Sequence, residues 1–225
     1  MEPEDDIKLE QMNVALLKAL LLKQKTFQPR FSLPLTIDDA NELLMTAVMV
    51  EVGARGNDFH PSQQLTNIIR EVAAWCIDKK KVGLMLCGLP GNGKTTIMKA
   101  IRQVFNLFEF KDDYGEEAVM KWVSAMDVAR LAKTDNCAYQ KLCHTPMLAI
   151  DDFGEEPAEV LEYGNILSPI TDMLSIRYAD RHMTIVTTNT AASDIRKRYG
   201  ARIADRFNEM MQVIIFTQTS YRGKA

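Results

Sequence analysis

No apolar run of about 18 residues occurs in this 225-residue sequence, which removes a hydropathy-marked membrane-spanning helix from consideration. The chain opens Met1-Glu-Pro-Glu-Asp-Asp6, acidic where a secretory leader is basic, so the cytoplasm is the expected location. Cysteine is sparse and scattered. Cys76, Cys87, Cys137 and Cys143 form no Cys-x-x-Cys pair, which argues against a zinc ribbon and for buried, reduced thiols. His144 adjoins Cys143, but the local sequence supplies no four converging ligands. Internal repeats and low-complexity tracts are absent. A large charge of one sign is also missing: the net charge of −3 does not suit a protein that coats nucleic acid over its whole surface.

The charge is uneven, however. Between Arg177 and Arg206 stand seven Lys/Arg (177, 181, 196, 197, 198, 202, 206) against Asp180, Asp194 and Asp205. That basic stretch either faces a polyanion or is a solvated helix surface. With 47% hydrophobic and 25% charged residues, the composition is that of a globular protein with room for one substantial domain and a small appendage.

Along the chain, Met12, Leu16, Leu17, Leu20 and Leu21 make an apolar stripe at helical spacing. Pro29 and Pro34 then interrupt helix. Further helices are expected at 38–53 and from Ser62, the latter with Leu65, Ile68, Ile69, Val72, Ala73 and Cys76 on one face. Residues 1–60 are thus read as a helical extension with a possible docking role, and 61–225 as the main domain. From Lys81 short apolar runs alternate with helical segments. Strands are expected at 82–87, 118–123, 147–150, 183–187 and 213–216, and helices at 94–105, 126–132, 137–143, 166–178 and across 191–209. Such alternation gives βαβ units, hence an α/β fold with a mostly parallel sheet flanked by helices.

Gly88-Leu89-Pro90-Gly91-Asn92-Gly93-Lys94-Thr95, followed by Thr96, matches a phosphate-binding loop, and it sits between a strand and a helix as that motif requires. Its glycines let successive N–H groups point at phosphate oxygens, and the emerging helix aims its positive end at the same anion. Lys94, expected to be exposed while no ligand is bound, reaches the β- and γ-phosphates of ATP, and the Thr95 hydroxyl binds Mg²⁺. Met147-Leu-Ala-Ile-Asp151-Asp152 is an apolar strand ending in two acids: Asp151 for the metal, and Asp152 where a carboxylate polarises the attacking water. Asp152 as a turn cap, with Glu155 or Glu156 as the base, is the competing reading. Asn189 ends the strand at 183–187, in the crevice where open α/β sheets bind ligands, although Asn is also a common turn residue.

Together with Leu148-Ala-Ile-Asp-Asp-Phe-Gly154, Ile185-Val-Thr-Thr-Asn189, Tyr199-Gly-Ala-Arg-Ile-Ala-Asp-Arg-Phe207 and Ser220-Tyr-Arg222, the phosphate loop makes residues 62–222 resemble the AAA+ ATPases of the DnaC/IstB type, helicase loaders and transposition helpers. The resemblance implies a strand order of 5-1-4-3-2, with Asn189 as sensor 1 between the phosphate loop and Asp151. It implies that Arg206 is an arginine finger acting on a neighbouring subunit of an ATP-dependent homo-oligomer, Arg202 being the rival, and that Arg222 senses phosphate or pairs structurally. It further implies Mg²⁺-dependent ATP hydrolysis and partnership with a replicative helicase on single-stranded DNA, or else with a transposase on duplex DNA. A nucleotide-gated adaptor with negligible turnover is the third reading. Nine residues follow the last expected strand, too few for the usual helical lid, so a lidless form is expected.

Overall fold

The protein is described by a computed structural model covering residues 14–24, 31–78, 80–112, 114–162, 165–190 and 192–217. Two compact units emerge, Met1–Arg30 and Phe31–Ala225. In the first, α1 (Val14–Gln24) is helical as expected, with Val14 and Leu16 exposed; Met12 lies outside the described residues.

The second unit opens with Phe31 and Leu33 already in the core. Helix α2 (Ile37–Gly53) starts where the Thr36 hydroxyl accepts the Asp39 N–H at 3.1 Å, with Asp38 and Asp39 in the first turn favouring the helix's positive end. Ser62 caps α3 (Gln63–Ile77) in the same way. The predicted face of α3 is buried, along with Trp75, and each of Leu65, Ile68, Ile69 and Val72 contributes about 1.5–3 kcal/mol by leaving water. Sequence reading set a boundary near residue 60. In the structure, Ala40, Leu44, Ala47 and Val48 of α2 share one core with α3 and with the helix that follows the phosphate loop.

Five strands form a parallel sheet: β1 (Gly83–Gly88), β2 (Lys121–Ser124), β3 (Met147–Phe153), β6 (Met183–Thr188) and β7 (Met211–Phe216), in the order β2-β3-β6-β1-β7. Setting aside the separate hairpin of β4 (Val160–Glu162) and β5 (Asn165–Leu167), this is the expected 5-1-4-3-2 order. Between strands lie α4 (Lys94–Phe105), α5 (Ala125–Thr134), α6 (Asn136–Cys143), α7 (Pro169–Ala179) and α8 (Ala192–Met210), the last broken at Gly200, whose φ of 83° is left-handed. Alternate residues of each strand feed opposite cores. Leu84 and Leu86 pack with α2, α3 and α4, while Met85 and Cys87 pack with residues of α5, α7 and α8.

The helix expected over 166–178 is present but starts three residues later. Helix α7 begins at Pro169, a residue with no N–H to offer a preceding turn, and residues 165–167 pair with 160–162 instead. Strand β3 runs three residues further than expected, through Asp151 and Asp152 to Phe153.

Candidate nucleotide-binding site

The phosphate loop closes tightly on the end of β7. A Cβ on Gly88 would lie 2.6 Å from the Phe216 carbonyl oxygen, so only glycine fits. Gly93, at φ 93°, turns the chain into α4 from the left-handed region, and its carbonyl takes the first helical bond from Ile97. Asn92 is fully buried and donates to the Phe216 carbonyl at 3.3 Å, while Leu89 and Pro90 are exposed on the rim and Gly91 is half-buried.

Lys94 is not exposed as expected; only 6% of it reaches solvent. Its ammonium donates to the carbonyls of Gly88 (2.9 Å) and Leu89 (2.8 Å), to Asn92 Oδ1 (3.1 Å) and to Asn189 Oδ1 (2.9 Å). A buried ammonium must be satisfied, and the curled loop supplies the acceptors. Asn189 also donates through Nδ2 to Glu155 at 3.4 Å.

Asp151 is buried beside the loop, where its Oδ1 accepts from the Thr95 hydroxyl at 2.9 Å and from Thr187 at 2.5 Å. Thr187 Oγ1 in turn accepts the Asp152 N–H at 3.0 Å. The β3–β6 register shifts between Ile150 and Phe153, and Asp152 occupies the left-handed region at φ 54°. This bulge sends Asp151 inward and leaves Asp152 exposed. The set suits Mg²⁺: Thr95 Oγ1 and Asp151 Oδ1 are both hard oxygen donors, and their 2.9 Å separation equals the ~2.9 Å edge of an octahedron with ~2.05 Å bonds.

Several sequence candidates fall elsewhere. Glu156, the second fallback base, is 1% exposed; its carboxylate takes the Gly154 N–H at 2.8 Å and the Tyr199 hydroxyl, so it is a structural group. Burial and this carboxylate together hold the Tyr199 hydroxyl protonated well above its usual range. Glu155 remains exposed beside Asn189. The Thr96 hydroxyl turns away from the loop to accept from Arg55 at 3.0 Å. Arg206 is half-buried, its guanidinium 5.1 Å above the Tyr178 ring, and its Nη1 has no hydrogen-bond partner among the described residues. Tyr178 stands in the last turn of α7 and Met211 opens β7, so Arg206 lies towards the end of the sheet opposite the phosphate loop. Arg202 is exposed.

The basic stretch is weaker than its composition implies. Arg177 is fully buried, Arg196 pairs with Asp205 at 2.8 Å, Lys197 pairs with Asp194 at 3.2 Å, and Arg198 donates to the Tyr199 hydroxyl and to the Glu156 carbonyl. Three cysteines are buried as expected, but Cys137 is exposed. Ser220–Arg222 lies outside the described residues.

No protein-family model and no curated protein matches the sequence. Among solved structures, the crystal structure of the DnaC helicase loader is similar at 20% identity, with a TM-score of 0.54 and coverage of 71% of this chain and 94% of that one. The crystal structure of DnaI is similar at 19% identity, with a TM-score of 0.53 and coverage of 83% and 96%. This chain has the AAA+ P-loop fold. Among the described residues, no helix is long and apolar enough to cross a membrane.

Two side chains at the site escaped the sequence reading. Thr187 carried a usable signal: a hydroxyl in a strand otherwise buried on both faces needs a partner, and here it is the Asp151 carboxylate. Arg55 carried none, because 41 residues separate it from Thr96.

Proposed function

We infer that this AAA+ chain is an Mg²⁺-dependent ATPase of the DnaC/IstB type that loads or remodels a replicative helicase on single-stranded DNA. The observation that carries the ATPase reading is the convergence of Lys94, Thr95, Asp151 and Asn189, drawn from three strand ends, at one glycine-rich loop. The helicase reading is supported by the fold shared with the DnaC helicase loader and by the Asp-Asp-Phe-Gly and Ala-Asp-Arg-Phe motifs.

Nucleotide binding exchanges partners at Lys94. The β- and γ-phosphate oxygens take the place of the Gly88 and Leu89 carbonyls, a charge-assisted contact in place of neutral ones. Thr95 and Asp151 hold Mg²⁺, which when bound supplies positive charge to neutralise the phosphates. Asp152 accepts the proton of the attacking water, and Asn189, held by Lys94 and Glu155, orients that water. Glu155 is the rival base, because it is exposed and already tied to Asn189.

The test is ATP hydrolysis by the purified chain, alone and with a hexameric replicative helicase and single-stranded DNA. Lys94→Ala abolishes nucleotide binding or turnover if the assignment is correct; normal affinity and turnover in that variant reject it. Co-assembly with the helicase selects the loader reading, whereas ATP-dependent coating of duplex DNA replaces it with the transposition helper.

A further inference from the structure

At the end of the sheet away from the phosphate loop, two connections are held side by side. Residues 144–146 lead into β3 and residues 180–182 into β6, and those strands begin in register at Met147 and Met183. The Met183 N–H donates to the Pro146 carbonyl at 3.0 Å. Fully buried Arg177 clamps both connections, donating to the carbonyls of Cys143 (3.2 Å), Thr145 (2.7 Å) and Met183 (2.6 Å). Helix α7 ends in a Schellman turn: Arg181 is left-handed at φ 52°, its N–H meets the Tyr178 carbonyl, and the His182 N–H reaches back to the Arg177 carbonyl at 2.9 Å.

This clamp brings His144, Asp180 and His182 together, one ligand atom from each lying within 4.8 Å of the others. Asp180 Oδ2 is 3.2 Å from His144 Nδ1 and 3.7 Å from His182 Nε2. Tetrahedral zinc with bonds of about 2.0–2.1 Å has ligand–ligand edges of about 3.3–3.4 Å, between those two separations. His144 caps the C-terminus of α6 and Asp180 that of α7, the helix ends that favour a cation. His182 is nearly buried while His144 and Asp180 are open to solvent, which leaves a position for water as fourth ligand.

We propose that His144, Asp180 and His182 form a Zn²⁺ site, independent of the nucleotide, that ties the β3 and β6 connections together. Two imidazoles and one carboxylate suit zinc better than magnesium, which prefers an all-oxygen octahedron. The competing account is a surface ion-pair triad that takes no metal.

The deciding experiment titrates the EDTA-stripped, nucleotide-free full chain with Zn²⁺ by calorimetry, in a Cys137→Ser background so that the exposed thiol does not compete. One Zn²⁺ per chain is expected, with a zinc-dependent rise in melting temperature. His144→Ala and Asp180→Asn each weaken binding at least about tenfold, the lower end of what disturbing a metal ligand's support alone costs, and remove the thermal shift. Both side chains are substantially exposed, so these variants fold, which far-UV circular dichroism verifies. Absence of Zn²⁺ binding, or unchanged binding in both variants, overturns the site. Tight Mg²⁺ binding lost on the same substitutions overturns the zinc assignment.

Discussion

Thr187→Val replaces one hydroxyl by a methyl group of the same shape at a position with no solvent exposure. Two interactions are lost together: the donor to the Asp151 carboxylate and the acceptor of the Asp152 N–H. A hydrogen bond to a charged group contributes about 1.5–3 kcal/mol, and stranding a buried donor costs about 1–3 kcal/mol. The Asp152 N–H is only part-buried and the two losses share one atom, so the expected destabilisation is about 3 kcal/mol rather than the full sum. For a chain of this size that lowers the melting temperature by about 6–12 °C. In a urea titration the midpoint falls while the slope is unchanged. The exposed Thr46 of α2, which donates to the Glu42 carbonyl, is the isosteric control, and Thr46→Val changes stability by under about 0.5 kcal/mol. Without its second donor Asp151 is less firmly aimed at Thr95, so the apparent Mg²⁺ affinity for ATP turnover weakens about 10–100-fold. Equal melting temperatures for the Thr187→Val and parent chains, with the same Mg²⁺ requirement, would refute the idea that Thr187 organises the acid pair.

Three further outcomes are expected. Asp152→Asn binds Mg-ATP but hydrolyses it about 10²–10⁴-fold more slowly in a steady-state phosphate-release assay, whereas Glu156→Gln chiefly loses thermal stability. Normal turnover in Asp152→Asn with a dead Glu155→Gln transfers the base to Glu155. Arg206→Ala and Lys94→Ala are each inactive alone, and mixing them restores part of the hydrolysis at protein concentrations that favour assembly, the outcome expected of a finger that lies away from its own loop and acts on a neighbour's. A dead mixture, with assembly verified by light scattering, removes Arg206 and puts Arg202 forward. Finally, iodoacetamide on the folded chain labels Cys137 first by mass spectrometry, since burial raises the Cys87 and Cys143 thiols and shields them. Equally rapid labelling of Cys87 contradicts the packing of β1.

What the sequence determined on its own is whatever depends on short spacing or on the period of apolar residues. The phosphate loop needs its glycines, Lys94 and Thr95 within eight consecutive positions, and the Asp151–Asp152 pair closes a visible apolar strand. The α3 face is legible because a helix of 3.6 residues per turn repeats the apolar stripe that the core requires. Even the β4–β5 hairpin had a local marker in Pro169, which stops a helix from beginning earlier.

Tertiary structure decided the contacts between strands distant in sequence. Inserting β6 between β1 and β3 sets Thr187 on Asp151 and Asn189 on Lys94, pairings 36 and 95 residues apart. Burial of Lys94 and of Glu156 follows from how the loop and the turn after β3 close on themselves, and spacing carries no record of that closure. Arg177 is the plainest case. In the sequence it counts as one more positive charge on a basic stretch, and in the fold it is a fully buried clamp, because the carbonyls at the ends of α6 and β6 needed a donor. The same clamp gathers His144 with Asp180 and His182, 36 and 38 residues further on, a grouping that depends on the β3–β6 register and not on any motif.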